Sequence, residues 1–246
     1  MVKKLKIKIT LMKQILLLPF LFVFFISKAQ QENPVMIVGA MRNVMWKGQL
    51  GGNILLDTIY PKKHLYGLGP NEKLSGELLI IDGVSYLSTV AADGNIKVTE
   101  TYKTKAPFFV YTHVDEWMEI ALPDSIENLL QLEQFIDSIS RGINNPFCFK
   151  LNGTIISSSI HVVNLPSGTK VDSPEQAHQG QRNYSLKKES VEIIGFFSRK
   201  HQSVFTHHDT YLHMHLITAD KKYIGHLDEL KIKKESMRFF VPLYIK

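Results

Sequence analysis

Two histidines one residue apart, in His213-Met-His215, mark the part of this 246-residue chain best suited to metal chemistry. They stand in a segment rich in apolar residues, and in a β-strand residues two apart project from the same face. Their Cα atoms would lie about 6.8 Å apart, a spacing at which two imidazoles can bind one ion. The pair therefore predicts a strand with two metal-ligating side chains on one face.

A third histidine joins this pair if the strand folds back at Asp220-Lys221. A symmetric hairpin centred on these two residues places His226 directly opposite His215 and on the same face. Three imidazoles with an open fourth position form the ligand set of catalytic zinc sites. Because neutral imidazole also suits copper, iron and nickel, the spacing predicts a site at His213, His215 and His226 without choosing the metal.

The other histidines carry weaker signals. Adjacent residues of a strand face opposite ways, so we expect one residue of His207-His208 to line the pocket and the other to be solvated. Four more have no partner in the sequence and are expected to have ordinary structural roles: His64, His113, His178 and His201.

Strands predominate among the elements that must position these side chains. Asp82-Gly83 and Asp93-Gly94 each separate two β-rich runs and predict hairpins. Asn152-Gly153 predicts a turn between two further strands, and the polar residues 164–187 predict a long loop.

One helix is predicted over residues 124–141. Asp124 is suited to be its N-cap, with Glu127 completing a capping box, and Gly142 follows its end. The apolar face of this helix is expected to contain Ile126, Leu129, Leu130, Ile136 and Ile139.

The order of strands, helix and further strands predicts an α+β fold with two β-rich lobes. We assign the N-terminal lobe to about 30–123, the main helix between the lobes to 124–141, and the C-terminal lobe to about 142–246.

The N-terminus has the pattern of an export signal. Residues 1–29 contain six lysines, no acidic residue and a 12-residue apolar run that ends before Ser27-Lys28-Ala29. The run is shorter than the ~20 residues of a spanning helix. We expect cleavage after Ala29, no membrane anchor afterwards, and a periplasmic or extracellular location. Met12 is an alternative start.

The positive charge is confined to this signal. The whole chain has a net charge of +6, but residues 30–246 contain 23 basic and 23 acidic residues. A neutral body without a basic stripe argues against a nucleic-acid partner. The single cysteine, Cys148, excludes an internal disulfide, and its apolar neighbours predict a buried, unreactive thiol.

Several segments, taken in chain order, match the pattern of a known enzyme family. The clearest are Gly195-Phe-Phe-Ser198, Tyr211-Leu-His-Met-His-Leu216, Thr218-Ala-Asp-Lys-Lys222 and Gly225-His226. Others are Leu65-Tyr-Gly-Leu-Gly69, Leu74-Ser-Gly-Glu-Leu-Leu-Ile-Ile-Asp-Gly83, Tyr86, Asn145-Pro-Phe147 and Leu151-Asn-Gly153. In these segments the chain resembles the alpha-acetolactate decarboxylase family, from about residue 36 to about residue 230.

This resemblance implies a metal-dependent enzyme that converts 2-acetolactate to acetoin and carbon dioxide. It implies a zinc ion at His213, His215 and His226 and a dimer built from mixed sheets. It also implies a catalytic glutamate at Glu77, which we expect beside the metal as a ligand or as the proton donor. The expected substrate is a small 2-hydroxy-3-keto acid.

Three family positions differ in this chain. The family's arginine falls on His161, which we expect to take over its contact with the substrate carboxylate. A family threonine falls on Pro70, and a C-terminal family glutamate has no counterpart that we can place.

These departures leave a second hypothesis open: a binding or sensory module that keeps the metal site without decarboxylase activity. A cupin is less consistent, because cupins place a glutamate four residues after the His-x-His pair, where this chain has Ala219.

Overall fold

The computed structural model describes residues 34–233 and 235–245; the expected signal, residues 1–29, lies outside the described residues. The strands are β1 (Met36–Val38), β2 (Ile54–Leu55), β3 (Leu65–Pro70), β4 (Glu77–Ile81), β5 (Val84–Val90), β6 (Ile96–Glu100), β7 (Lys105–Ala106), β8 (Phe109–His113), β9 (Trp117–Ile120), β10 (Phe147–Thr154), β11 (Ser157–Val162), β12 (Arg182–Lys187), β13 (Ser190–Phe197), β14 (Leu212–Thr218), β15 (Ile224–Lys231) and β16 (Met237–Pro242). The α-helices are α1 (Met41–Lys47), α2 (Leu129–Ile139) and α3 (Pro174–Ala177), and the 3-10 turns are Leu56–Thr58, Glu72–Leu74 and Leu243–Ile245. None of the helices within these ranges is long and apolar enough to cross a lipid bilayer.

Most strands belong to two sheets. The six-stranded sheet has the order β1-β8-β3-β4-β5-β6, and the eight-stranded sheet has the order β12-β11-β15-β14-β13-β10-β16-β9. The predicted α+β class is confirmed, but the expected mixed sheets are wrong, because neighbouring strands in both described sheets run antiparallel. Short turns join several of these neighbours, and a short turn can join only antiparallel strands.

Both predicted Asp-Gly hairpins are present. Ile81 pairs with Val84 around Asp82-Gly83, whose φ angles of 44° and 82° favour glycine at the second position. The Asp93-Gly94 turn joins β5 to β6, which pair from Tyr86 to Val90.

The two sheets pack face to face through one apolar core. The six-stranded sheet contributes Tyr66, Leu68, Leu79 and Val110, and the eight-stranded sheet contributes Cys148, Ile194, Phe196 and Ile217. Because strand residues alternate between faces, His213 and His215 project to the same side as Ile217. We call this side of the eight-stranded sheet its inner face.

Helix α2 covers the opposite, outer face of the eight-stranded sheet. Its buried residues Leu132 and Ile136 join a second core, in which Phe135 packs edge-on against Phe239 of β16. The prediction that the main helix lies between the two lobes is therefore wrong, because the inner faces of the two sheets contact each other directly.

The helix is shorter than the predicted span of 124–141. It begins after Asn128, whose side chain accepts a hydrogen bond from the Gln131 backbone N–H, so Asp124 is not its N-cap. Leu130, expected on the apolar face, is 66% exposed.

Two predictions about turns and loops are also wrong. Strand β10 continues through Asn152-Gly153, where a Cβ on Gly153 would lie 2.1 Å from the Ser236 carbonyl oxygen. The glycine therefore permits the close approach of β16 rather than a turn. Residues 182–187 of the predicted loop form β12, an edge strand whose partner β11 is distant in sequence.

Candidate metal centre

Three buried histidines meet on the inner face, where β14 and β15 run side by side. His213, His215 and His226 are only 3%, 0% and 8% exposed. Each offers one ring nitrogen, and these three atoms lie within 4.8 Å of one another. The structure thus brings together the three residues that the spacing predicted as ligands.

The local sequence explains this register. His215 pairs with His226, Leu216 with Gly225 and Ile217 with Ile224. This is the register predicted for a symmetric hairpin centred on Asp220-Lys221. The turn is closed by Asp220, whose carboxylate accepts hydrogen bonds from the Thr218 hydroxyl at 2.7 Å and the Lys222 backbone N–H at 3.1 Å.

Burial makes the cluster suitable for a metal ion. Burial and the nearby His161 lower the pKa of His215 to about 3, and burial lowers the pKa values of His213 and His226 well below the usual range. The imidazoles are therefore neutral, as metal ligation requires. Three neutral imidazoles that each turn one nitrogen toward a common point form a donor set that fits a transition metal.

Glu77 lies beside the three histidines. It begins β4 on the facing sheet, and its Oε2 is 3.6 Å from Nε2 of His215. Its Oε1 accepts a hydrogen bond from the Val163 backbone N–H at 3.3 Å. Burial raises the pKa of Glu77 well above its usual range. Burial therefore favours the protonated form of this carboxyl group beside the neutral imidazole of His215.

His161 lies on the other side of the cluster. It pairs with His226 across β11 and β15, and the two ring centroids are 4.7 Å apart. Its Nδ1 is 2.7 Å from Oδ1 of Asp228. Where the family has an arginine, this chain therefore has an imidazole that is held by a carboxylate and lies against a candidate metal ligand.

Two more histidines reach the same cavity. His207 has its ring centroid 4.9 Å from that of His226, whereas its neighbour His208 is exposed, as expected for this pair. His178, for which we expected an ordinary role, has its ring centroid 6.2 Å from that of His161. No pattern in the sequence pointed to His178, because it lies in the polar segment beyond α3, outside any periodic pattern.

The cavity itself is small and largely apolar. Its volume is about 20 Å³, and its walls include Met41, Leu74 and Phe108 as well as Pro70, which supplies no hydroxyl where the family has threonine. A larger cleft of about 340 Å³ lies under α2 and is also lined by His207 and His226. Among the described residues lining the small cavity, Glu77 is the one carboxylate and there is no arginine.

The fold and the site define a class: two packed antiparallel sheets with a buried three-histidine centre that could hold a metal. Within this class the chain belongs to the alpha-acetolactate decarboxylase family, whose model matches residues 39–241. The resemblance inferred from the sequence is therefore confirmed. A search of curated protein sequences found no significant match.

Solved structures share this fold. The alpha-acetolactate decarboxylase from Bacillus subtilis strain 168 aligns with a TM-score of 0.67 and 20% identity over 85% of this chain and 84% of that chain. A Staphylococcus aureus protein described as similar to alpha-acetolactate decarboxylase aligns with a TM-score of 0.67 and 15% identity, again over 85% of this chain and 84% of that one. At this level of identity, the two alignments establish the common architecture.

Proposed function

We propose that this protein is a metal-dependent decarboxylase that converts 2-acetolactate to acetoin and carbon dioxide, with zinc held by His213, His215 and His226. The observation that carries the proposal is the buried, neutral three-imidazole cluster next to the Glu77 carboxyl group. Membership of the alpha-acetolactate decarboxylase family supports the reaction.

The reaction breaks the bond between the carboxylate carbon and C2 of the substrate. Its electron pair moves toward the ketone oxygen, where a bound zinc ion would act as a Lewis acid. The enolate that remains needs a proton at C2 to become acetoin, so a proton donor must face that carbon.

Glu77 is suited to supply this proton. Its Oε1 accepts the Val163 N–H, which leaves Oε2, on the side of the histidines, to carry the proton. Burial raises the pKa of this carboxyl group, which favours the protonated form that a proton donor requires. After Glu77 donates to C2, a proton from solvent restores it.

The surroundings favour the same chemistry. The apolar walls at Met41, Leu74 and Phe108 exclude water, and electrostatic interactions are stronger in a water-excluded site. We include His161 among the groups that contact the substrate, because it lines the cavity beside His226.

The proposal extends to the setting of the enzyme. The charged start and apolar run of residues 1–29 support export to the periplasm or outside the cell, and the family resemblance supports a homodimer. The neutral body supports a small-molecule substrate and no nucleic-acid partner.

The direct test incubates the purified protein with racemic 2-acetolactate and zinc and measures acetoin. We expect acetoin with zinc, and little after chelation or in His215→Ala. The matched control His208→Ala changes the exposed neighbour of His207 and should retain activity. If the protein binds zinc but makes no acetoin, the decarboxylase proposal is wrong and the binding-module hypothesis replaces it.

A further inference from the structure

The eight-stranded sheet has a gap beside the candidate metal centre. Strands β14 and β15 pair at three positions, and the last of them joins His215 to His226, although both strands continue beyond it. Past this point β14 keeps its pairing with β13, and β15 keeps its pairing with β11. The gap between the two strands therefore opens at two of the three candidate ligands.

The cleft of about 340 Å³ under α2 lies at this gap. Residues on both edges of the gap form its walls: Leu212, Met214, Leu227 and Asp228. His207 and His226 line both this cleft and the small cavity at the three histidines. The outer part of the cleft is formed by Leu130, which is 66% exposed. The cleft thus leads from the outer surface, through the sheet, to the candidate ligands.

The charges along this path are all negative. Three carboxylates line the cleft, those of Glu133, Asp209 and Asp228, and the described lining residues include no lysine or arginine. The Thr210 hydroxyl donates a hydrogen bond to Glu133, whereas Asp209 is exposed. A cleft lined by one sign of charge concentrates ions of the other sign and raises their association rate by about 10- to 1,000-fold. This cleft therefore attracts cations and repels anions such as 2-acetolactate.

The inner end of the cleft is an imidazole suited to a transition metal. His226 is only 8% exposed, and among the described residues its ring has no hydrogen bond. It contacts the rings of four other histidines: His161, His207, His213 and His215. His207 belongs to the loop between β13 and β14, and its ring centroid lies 4.9 Å from that of His226. An ion that passes the carboxylates therefore meets imidazoles, the ligands that suit zinc, copper, iron and nickel.

We propose that the cleft under α2 is the loading route of the candidate metal centre. Glu133 and Asp209 attract a divalent transition-metal ion, and His207 passes it to His226. The inference rests on the proposed function, in which the three histidines hold the metal. It assigns the cleft to the metal ion, because its carboxylates oppose entry of the anionic substrate.

Cobalt(II) is the probe for the test, because its visible absorption intensifies when imidazoles replace its water ligands. Stopped-flow mixing with the metal-free protein gives the association rate, and a titration gives the final occupancy. At low ionic strength the double variant Glu133→Gln/Asp209→Asn should load about tenfold or more slowly than the parent, to the same final occupancy. Asp115→Asn/Glu116→Gln removes two exposed carboxylates next to β9, at the far edge of the sheet, and should load as the parent does.

Salt gives a second readout of the same charges. Screening shortens the reach of exposed charges from about 30 Å at 0.01 M salt to about 3 Å at 1 M. We expect the parental loading rate to fall over this range and that of the Glu133→Gln/Asp209→Asn variant to change little, so that the two rates converge.

The role of His207 is tested by removing its ring. His207→Ala should load more slowly than the parent, because the imidazole between the carboxylates and His226 is gone. Its final occupancy should be unchanged, because the three candidate ligands remain. His208→Ala, which changes the exposed neighbour, should load at the parental rate.

A bulky label tests the route by steric blocking. The native Cys148 is fully buried, so a cysteine introduced at the surface can be labelled selectively. Leu130→Cys carrying a maleimide-linked polyethylene glycol should load more slowly than the parent. The same label on Glu116→Cys, outside the cleft, should leave the loading rate unchanged.

Parental loading of either the Glu133→Gln/Asp209→Asn variant or the labelled Leu130→Cys protein would overturn the inference. Faster loading of His207→Ala would show that this ring obstructs the path instead of passing the ion along it. A protein that binds no cobalt would overturn the inference together with the metal centre. Loading through the cleft without acetoin formation would support the inference and contradict the decarboxylase proposal alone, so the two failures are distinguishable.

Discussion

At the scale of single residues, the candidate centre depends on imidazoles that burial keeps neutral. His215 is fully buried, and its Nε2 lies 3.6 Å from Oε2 of Glu77. A metal ion held by these neutral imidazoles would stabilise the folded chain, because the unfolded chain lacks the assembled site.

Replacing His215 should therefore remove the metal and the stability that it adds. We expect His215→Ala to lose most bound zinc by elemental analysis. At free zinc about 1,000 times the parental dissociation constant, it should also lose about 4 kcal/mol of metal-linked stability. Thermal melts with and without chelator measure this loss. The prediction fails if the variant retains full occupancy, and His208→Ala should behave as the parent.

Glu77 should affect the rate rather than metal binding. Glu77→Gln keeps the side-chain volume but removes the acidic proton proposed to reach C2, whose retention burial favours by raising the pKa of Glu77. We expect kcat for acetoin formation to fall about 10²- to 10⁴-fold with zinc content preserved. Glu229→Gln, an exposed substitution, is the matched control. A variant with parental kcat would exclude Glu77 as the proton donor.

At the scale of elements, the site depends on how closely β15 approaches β11. Gly225 precedes His226, and a Cβ at this position would lie 2.5 Å from the His161 carbonyl oxygen. This close approach keeps His161 and His226 opposite each other in the sheet.

Gly225→Ala should therefore push the two strands apart. We expect a loss of about 1–3 kcal/mol in the free energy of unfolding, since inserted atoms force backbone shifts in a packed core. We also expect weaker zinc binding, because His226 moves with its strand. Urea denaturation and zinc titration measure both. Gly51→Ala is the matched control, because a Cβ there meets nothing within 4 Å; equal effects of the two substitutions would contradict the argument.

At the scale of the whole molecule, the two sheets share the inner core, and Cys148 lies within it. The thiol is fully buried, and burial raises its pKa well above the usual range. The reactive thiolate is therefore disfavoured for as long as the sheets remain packed.

Cys148 should thus report separation of the two sheets. We expect almost no reaction with a disulfide reagent at pH 8 in the native protein, and full labelling over the same urea range as the loss of circular dichroism. Rapid labelling without urea would show that the inner core opens locally.

Local features of the sequence determined the chemistry of the cluster. His213 and His215 share a face because strands have a period of two, and His226 falls opposite His215 because the turn at Asp220-Lys221 is short. Both rules act over about a dozen residues, so they can be read without the fold.

Short-range sequence patterns gave a wrong prediction where two residues could both cap the N-terminus of helix α2. Asp124 and Asn128 are both suitable N-caps, and the structure selects Asn128, which also bridges to Lys231 of β15. That choice depends on a strand more than 100 residues away, which no local pattern contains.

Only the tertiary structure decided what surrounds the three ligands. Glu77 is brought to them by the packing of one sheet on another, and His161 meets Asp228 through a bulge between strands 67 residues apart in the chain. His178 arrives from beyond α3. Strand period and turn length act along the chain and specify the hairpin, whereas strand pairing and sheet packing join distant segments, and their outcome depends on the whole core.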